Sequence, residues 1–275
     1  MYRLLLSQYY ILAVPISILF ILNSRSIHSS YRLPLVEKFR LGSKMALDKF
    51  RIPTGTSYKA HLAMALKIFE TLPEVKNDIV ECGTWKGGSV ANLSLVCRIT
   101  GRKLKIYDSF QGLPESEPAD RQGLFYKKGE YLGTLDEVKS NISRYGAIEC
   151  CEFIKGWFSE TLPRLDTPVL LAFLDVDLEA SLETCVRHLW PNLTDKGYVF
   201  IDEYVDLDYC SLFWSEKYRR THFQRTPPGL VGAGVGLALG EYYIGSWSEI
   251  GNHPLQHPNA GEYAQKDFSG HWAHD

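Results

Sequence analysis

The sequence predicts an α/β fold in which helices cover both faces of a doubly wound, mostly parallel sheet. Short apolar segments alternate with helical segments from Asp78 onward, a glycine-rich turn follows the first of them, and the segment PVLLAFLDVD is apolar almost throughout. Such alternation favours right-handed crossovers between parallel strands, and an uninterrupted apolar strand is typical of a sheet buried on both faces. The later run GLVGAGVGLALGEYYIGSW is expected to add antiparallel C-terminal strands.

The individual elements follow the order that this sheet requires. A helix is predicted over Ser57–Leu72, where apolar residues recur at helical spacing and Pro73 follows. Another helix begins at Thr134, because Glu137 three residues later completes a capping box, and it ends before Gly146. The remaining predicted elements are the strands DIVEC, KLKIYD, AIECCEFI and YVFIDEY, and the helices SVANLSLVCRIT, Leu178–Leu189 and DYCSLFWSEKYRR.

Length and composition indicate one globular domain. With 275 residues, 45% of them hydrophobic, the chain can bury the core of a single α/β domain. We expect residues 31–275 to form this domain, with a helical lead-in, and residues 1–30 to form a separate apolar segment. The net charge is −2 and the charged residues are interspersed, so no nucleic-acid surface is indicated. A small or neutral substrate fits better, and assembly into a homo-oligomer is left open.

The N-terminal segment is long enough to cross a bilayer. Leu4–Leu22 is an apolar run without a small-residue cleavage site after it, which favours a signal anchor or an interfacial helix over a removed signal peptide. The segment Asn23–Arg51 is polar and basic, so an inserted anchor would hold the domain on the cytoplasmic side. The alternative is that the run packs on the domain or on a partner chain. The six cysteines lack metal-binding spacing and indicate reduced thiols, as in the cytoplasm.

The stretch DIVECGTWKGGS predicts a ligand-binding turn between a strand and a helix. Gly83 allows a sharp turn at the strand end, Gly87 lets a ligand approach the main chain, and Ser89 is a suitable cap for the helix. Free N–H groups at a helix start face the ligand. The spacing lacks the G-x-G of a dinucleotide site, and Trp85 and Lys86 would crowd a pyrophosphate. A smaller, less charged cofactor is therefore expected.

Acidic residues near this turn point to S-adenosylmethionine as the cofactor. Glu81 would repel a pyrophosphate but can accept a hydrogen bond from an ammonium group such as that of S-adenosylmethionine. Asp108 ends the next strand, at a spacing close to that of a ribose-binding acid. Trp157 could shape the cofactor pocket or pack the core. The full set of predicted cofactor-binding residues is Glu81, Gly83, Thr84, Gly87, Ser89, Asp108, Ser109 and Trp157.

Three further acids, Asp175, Asp202 and Glu203, follow two apolar strands. The carboxyl ends of parallel strands meet at one edge of a sheet, where such sheets bind ligands. Three carboxylates at this edge would repel one another, and a hard divalent cation relieves that repulsion. A magnesium site with these three ligands is therefore predicted. The alternative is that strand-end acids only cap the following helices, and this alternative carries more weight for Asp177.

Five motifs, in order, resemble the macrocin and mycinamicin O-methyltransferase family: DIVECGTWKGGS, YDSFQGLPE, KGWFSETLP, LDVDLEAS and GYVFIDEY. The resemblance spans roughly Ser57 to Tyr204. It implies the Rossmann-like sheet of a class I S-adenosylmethionine-dependent methyltransferase and methyl transfer to a sugar hydroxyl of a glycosylated metabolite or glycan. It favours Asp175 as the base, and it supports the three metal ligands. The family usually has two aspartates where this chain has Asp202 and Glu203, so the second carboxylate reaches further.

The chemistry implied is attack of an acceptor oxygen on the sulfonium methyl group. Magnesium would lower the pKa of the bound hydroxyl, and Asp175 would take its proton. His222 is a second candidate base, although a lone histidine in a polar segment is usually solvated. The long loop Ser109–Gly133 is expected to help select the substrate. A catechol-like acceptor and a membrane-tethered scaffold without turnover are the alternatives, because a fold does not by itself determine function.

Overall fold

The computed structural model describes residues 12–19, 21–22, 27–56, 58–115, 126–202, 212–213, 215–223, 231–235, 242–245 and 262–265. The α-helices are α1 (Leu35–Asp48), α2 (Tyr58–Glu70), α3 (Gly88–Thr100), α4 (Leu135–Tyr145), α5 (Phe158–Thr161), α6 (Glu179–Asn192) and α7 (Glu216–Phe223). The strands are β1 (Asp78–Cys82), β2 (Leu104–Asp108), β3 (Cys151–Lys155), β4 (Val169–Leu174), β5 (Leu193–Ile201), β6 (Val231–Val235), β7 (Tyr242–Gly245) and β8 (Glu262–Gln265). Short 3-10 helices cover Ser29–Tyr31, Ile148–Cys150 and Leu162–Arg164.

Five strands form the parallel part of one sheet, in the order β3-β2-β1-β4-β5. The chain moves outward from β1 to β3, crosses back to β4 beside β1, and then moves outward in the other direction to β5. This reversal confirms the predicted doubly wound sheet. Ligands of such sheets bind beyond the carboxyl ends of the strands at the point of reversal.

The strand register sets the positions of the predicted functional residues. Cys82 of β1 is paired with Tyr107 of β2 and Leu174 of β4, and Leu174 is paired with Ile201 of β5. All four strands therefore end at the same level of the sheet. The residues that follow these four pairing positions stand side by side at this edge: Gly83, Asp108, Asp175 and Asp202.

Antiparallel strands extend the sheet beyond β5. β8 pairs with β5, and β6 pairs with both β8 and β7, in each case antiparallel. β6 and β7 come from the glycine-rich run in which antiparallel strands are predicted. β8 comes from the tail after Gly251, in which the sequence pattern indicates no element, and it lies between β5 and β6.

The alternation of side chains along β4 places the core on both faces of the sheet. Leu171 and Phe173 pack into an apolar cluster with α1 to α4, whereas Ala172 and Leu174 pack into a second cluster with α6. Successive residues of a strand point to opposite faces of the sheet. Because both faces are covered by helices, every residue of β4 is buried. This pattern is the physical reason for the uninterrupted apolar sequence of the strand.

The N-terminal residues include helical segments at 12–19 and 21–22. Among the described residues, no helix is long and apolar enough to cross a membrane. Much of the predicted anchor Leu4–Leu22, namely residues 4–11 and 20, lies outside the described ranges. α1 forms within the segment interpreted as polar and basic, because Leu41 and Met45 give it a buried face.

Two helix ends test the predicted caps. Thr134 caps α4, since its side chain accepts a hydrogen bond from the Glu137 N–H, and Gly146 ends the helix. The prediction that Ser89 caps α3 is wrong. α3 begins at Gly88, and its N-cap is Gly87 in the left-handed conformation at φ 83°, which a glycine adopts without a steric penalty.

Candidate active site

The turn after β1 is built around Gly83. This residue has φ 79°, and a Cβ atom there would lie 1.9 Å from the carbonyl oxygen of Asp175. The Gly83 N–H donates to the Tyr107 carbonyl at 3.0 Å, and the Asp175 N–H donates to the Cys82 carbonyl at 3.0 Å. Only glycine can bring the turn this close to the end of β4. Gly83 therefore joins the predicted cofactor turn directly to the acidic edge.

The start of α3 is packed as closely as the turn. A Cβ atom at Gly87 would lie 3.2 Å from the Val138 side chain of α4, and one at Gly88 would lie 2.8 Å from Thr54 Cβ. The main chain is thus pressed against α4 on one side and against the segment before α2 on the other.

Asp108 holds this turn from the end of β2. One carboxylate oxygen accepts the Thr84 N–H at 2.8 Å, and the other accepts the Phe110 N–H at 2.6 Å. Burial raises the pKa of Asp108, while the two backbone hydrogen bonds lower it. Each carboxylate oxygen can accept a second hydrogen bond. The residue is placed where a ribose-binding acid is predicted.

Glu81 is fully buried beneath the turn. One of its oxygens accepts a hydrogen bond from the Ser89 hydroxyl at 2.5 Å. Burial raises the pKa of Glu81 well above its ordinary value, the Ser89 hydroxyl opposes that shift, and the charges of Asp175 and Asp108 add to it. Ser89 therefore contacts Glu81 instead of capping α3, and both side chains lie inside the fold.

The other two predicted cofactor residues flank Asp108. The buried Ser109 hydroxyl accepts the Gln111 N–H at 3.1 Å and donates to the Gly112 carbonyl at 3.2 Å, so it shapes its own loop. Trp157 precedes α5, and its half-buried side chain follows Gly156, whose N–H donates to the Asp108 carbonyl at 3.0 Å. Ser109 thus directly follows β2, and Trp157 follows the neighbouring strand β3.

The acidic edge is formed by Asp175 after β4 and Asp202 after β5. The Thr56 hydroxyl donates to Asp175 Oδ2 at 3.3 Å and also hydrogen-bonds Asp202. Burial raises the pKa of Asp202 well above its ordinary value, the charge of Asp175 adds to this shift, and Thr56 and Lys49 oppose it. Asp202 Oδ1 is buried without a hydrogen-bond partner among the described residues. The structure thus brings two of the three predicted metal ligands together, and Glu203 lies outside the described residues.

Within the part of the chain that the structure describes, no three His, Cys, Asp or Glu residues are grouped so that they could hold a metal ion. The predicted magnesium site therefore has two of its ligands in place and is not itself shown. The unpaired Asp202 Oδ1 and the mutual repulsion of two carboxylates fit a hard cation at this position.

Asp177 is a further candidate functional residue, for which the sequence alone favours a helix-capping role. It has φ 60°, in the left-handed region that aspartate tolerates better than most residues. Burial raises its pKa to about 7, the charge of Asp202 adds to the shift, and a hydrogen bond with Tyr126 opposes it. A carboxyl group that titrates near neutral pH at a strand end is typical of a proton-transfer site. The spacing L-D-V-D was the available signal.

The loop after Asp108 packs back on the cofactor turn. Tyr131 lies edge-on to Trp85 with ring centroids 5.5 Å apart, and Tyr126 lies edge-on to Tyr131 at 5.9 Å. A Cβ atom at Gly133 would lie 1.6 Å from the Trp85 carbonyl oxygen. The described ends of this loop therefore connect the turn to Asp177 through Tyr126. Residues 116–125 of the predicted substrate loop lie outside the described ranges.

His222 lies on α7 with an exposed side chain, and its ring is tilted against that of Tyr218 at a centroid distance of 4.5 Å. Tyr218 packs against the apolar cluster that contains α6. The proposed role of His222 as a base stays a prediction.

A comparison with known protein families gives a match that spans most of the residues in the candidate site. A family model described as macrocin-O-methyltransferase (TylF) matches residues 55–229, which is more than half of the chain. The match includes β1 to β5 and every residue that this subsection places at the candidate site except Lys49 and Thr54.

Two curated proteins illustrate the similarity. The chain is 36% identical over 146 residues to the 8-demethyl-8-(2,3-dimethoxy-alpha-L-rhamnosyl)-tetracenomycin-C 4'-O-methyltransferase of Streptomyces olivaceus, over 50% of this chain and 56% of that protein. It is 28% identical over 142 residues to the mycinamicin III 3''-O-methyltransferase of Micromonospora griseorubida, over 47% of this chain and 56% of that protein. The chain thus spans little more than half the length of these relatives.

A solved structure shows the same fold. The O-methyltransferase NovP superimposes with a TM-score of 0.54 at 19% sequence identity, over 94% of this chain and 99% of that chain. At this level of identity the likeness concerns the fold alone.

Proposed function

This chain belongs to the macrocin O-methyltransferase family, and on that premise we propose that it transfers a methyl group from S-adenosylmethionine to a sugar hydroxyl of a glycosylated small molecule. The observation that carries this proposal is the contact between Gly83 and Asp175, which leaves no room for a Cβ atom. A methyl donor bound at the turn would thereby face the carboxylates that can accept a proton. The proposed methyl-donor site and the proposed proton acceptors are adjacent at this contact.

The cofactor would bind at the row of strand ends. Asp108 has free acceptor capacity for two ribose hydroxyls, because each of its oxygens accepts a single backbone hydrogen bond. Gly83, Thr84 and Gly87 would present the main chain to the methionine part. Glu81 would interact with the ammonium group from below, held by Ser89. Ser109 and Trp157 would border the adenosine end.

In the proposed reaction the acceptor oxygen attacks the sulfonium methyl carbon in line with the departing sulfur. The C–O bond forms as the C–S bond breaks, S-adenosylhomocysteine leaves, and the hydroxyl proton passes to a carboxylate. Asp175 is the base that the sequence predicts, and Asp177 is the second candidate because its pKa lies at about 7. Holding the two reactants in line would supply a large part of the rate enhancement.

A magnesium ion is a further part of this proposal. Asp175 and Asp202 would hold it, with Glu203 as the third predicted ligand, and when bound it would supply Lewis-acid polarisation of the acceptor hydroxyl. The steps assigned above to Asp108, Asp175 and Asp177 do not depend on it.

The proposed acceptor class rests on the relatives. Both proteins compared above are named as O-methyltransferases, and the name of the tetracenomycin enzyme specifies a rhamnosyl group on its substrate. We expect this chain to accept a deoxysugar glycoside in preference to a catechol. Methyl α-L-rhamnopyranoside and catechol are simple probes for the two classes.

Isothermal titration calorimetry on the full chain tests the cofactor assignment. S-adenosylhomocysteine should bind with micromolar affinity, with and without magnesium, and NAD⁺ should produce no binding heat, because the turn lacks the dinucleotide spacing. Folded protein that binds neither S-adenosylmethionine nor S-adenosylhomocysteine would contradict the proposed function. Binding followed by methylation of catechol but not of the rhamnoside would overturn the acceptor class alone.

A further inference from the structure

We propose that Thr56 and Lys49 are positioning residues of the acid pair Asp175 and Asp202, and that the segment between them links this pair to the cofactor turn. The segment, residues 49–56, is called the strap below. It lies between α1 and α2 and runs across the carboxyl edge of the sheet. The inference rests on the proposed function and adds residues from the N-terminal part of the chain to the site.

Thr56 contacts the acid pair through its hydroxyl. The residue is fully buried, and its hydroxyl donates to Asp175 Oδ2 at 3.3 Å although the two residues are 119 positions apart. The same hydroxyl also hydrogen-bonds Asp202. A hydroxyl has one proton to donate, so it can satisfy one carboxylate fully at a time. Thr56 is therefore placed to hold the two carboxylates at a fixed separation.

Lys49 fixes the main chain that carries Thr56. Its ammonium group donates to the Thr54 carbonyl at 3.2 Å and to the Thr56 carbonyl at 2.7 Å, which folds the strap into a closed loop. The positive charge also attracts Asp202. A single cation thus both closes the strap and reduces the repulsion between the acids. Only a long cationic side chain with several N–H donors can do both.

The other contact of the strap is with the cofactor turn. A Cβ atom at Gly88, the first residue of α3, would lie 2.8 Å from Thr54 Cβ. The Thr54 hydroxyl also accepts the Thr56 N–H at 3.3 Å. Thr54 therefore touches the helix start, and Thr56 touches the acids two residues later. A ligand that binds at the turn should therefore also stabilise the strap, and through Thr56 it should hold the carboxylates in place for the acceptor.

Variants at Thr56 can distinguish a role of its hydroxyl in positioning the carboxylates from a role of its side chain in packing. Thr56→Val keeps the shape and loses the donor, whereas Thr56→Ser keeps the donor. Thr100→Val is the matched control, since Thr100 is a buried threonine whose hydroxyl donates only within α3, to Val96 and Cys97. Lys49→Met and Lys49→Arg form a second pair. Thermal unfolding would establish that each full-length variant is folded.

Hydrogen exchange with S-adenosylhomocysteine as the probe is the first readout. In the wild-type chain, saturating S-adenosylhomocysteine should slow amide exchange in residues 49–56 at least about tenfold, a change of about 1.4 kcal/mol in opening free energy. Thr56→Val and Lys49→Met should lose this protection while α3 remains protected. Thr56→Ser and Thr100→Val should keep it.

Turnover is the second readout, measured on the acceptor that the glycoside screen identifies. Thr56→Val should lower kcat about tenfold or more with little change in KM for S-adenosylmethionine, and Thr56→Ser should restore most of the rate. Unchanged strap protection and unchanged kcat in Thr56→Val would overturn the inference while cofactor binding leaves the proposed function intact. A wild-type chain that binds neither cofactor form would instead overturn the proposed function, and this inference with it.

Discussion

The two halves of the candidate site are built on different physical principles. The half at β1 and β2 depends mainly on main-chain geometry: glycines at positive φ, and the Asp108 carboxylate, whose two oxygens each accept a backbone N–H. Its other carboxylate, Glu81, is buried beneath the turn. The half at β4 and β5 consists of neighbouring carboxylates: the charge of Asp175 adds to the raised pKa of Asp202, and that of Asp202 adds to the raised pKa of Asp177. Asp202 Oδ1 has no hydrogen-bond partner among the described residues. Backbone hydrogen bonds already hold the turn of the first half in place, whereas the second half holds a repulsion between carboxylates that a ligand can relieve.

This difference indicates how the site would work. A preorganised turn can bind a cofactor at little cost in reorganisation, so it suits the constant partner of the reaction. A group of acids with raised pKa values is sensitive to protons, cations and polar ligands, so it suits the partner whose proton is removed. Variants of the two halves should accordingly fail in different measurements.

The largest effect is expected from substitutions in the acidic half, which should lower the turnover rate without changing cofactor affinity. Asp175→Asn or Asp177→Asn should lower kcat by about 10² to 10⁴, because removal of a general base costs that much, while S-adenosylhomocysteine affinity stays at the wild-type value. The larger loss identifies the base. Asp166→Asn, at the exposed opposite end of β4, is the control. Wild-type kcat in both variants would remove both candidates.

The next largest effect is expected at Gly83, where the two halves touch. Gly83→Ala should lower the free energy of unfolding by about 3 kcal/mol, since an alanine in the left-handed region costs about 1 kcal/mol or more and overpacking against the Asp175 carbonyl adds a similar amount or more. Urea unfolding measures the loss. Gly129→Ala is the matched control: its φ is 83° and no atom lies within 4 Å of the added Cβ, so the expected loss is only about 1 kcal/mol. Equal losses would show that close approach is not the cause.

A smaller effect is expected in the cofactor half at Asp108. Asp108→Asn leaves one oxygen for the two N–H groups of Thr84 and Phe110, so one of these hydrogen bonds is lost. We expect S-adenosylhomocysteine affinity to fall by a factor of about 10 to 100, as expected for a lost hydrogen bond to a charged group. Calorimetry measures the change. A loss of stability with wild-type affinity would show that Asp108 only shapes its loop.

The smallest effect is expected in the pH dependence of stability. The pKa of Asp177 is raised to about 7 in the folded protein, above its value in the unfolded chain, so the folded state binds more protons between about pH 4 and pH 7. Stability should therefore fall as pH rises through this window. Because the side chain is partly accessible to water, we expect the contribution to be about 1 kcal/mol.

Asp177→Asn should flatten this dependence in urea unfolding measured with EDTA present. Other acids would still contribute a decline: Asp48 of α1, whose pKa is raised to about 6, and Glu81, Asp108 and Asp202, whose pKa values burial also raises. An unaltered pH profile in Asp177→Asn would contradict the raised pKa and weaken its candidacy as the base.

The sequence by itself determined the parallel sheet, the turn at Gly83 and the acids at the strand ends. These features depend on local sequence patterns. Buried strands require apolar runs, and a sharp turn requires glycine. A carboxylate at a strand end appears in the sequence as an acidic residue directly after the apolar run. The capping box at Thr134 was readable for the same reason. Ser89 was misread because its partner is Glu81, which the helix brings close only after it has formed.

Only the tertiary structure decided which side chains meet across long sequence separations. No pattern near Thr56 points to Asp175, and α1 looked polar because its buried face is narrow. The raised pKa of Asp177 likewise depends on Asp202 and on burial, neither of which is visible in neighbouring letters. Strand register and crossover packing set these distances, and both are properties of the folded chain as a whole.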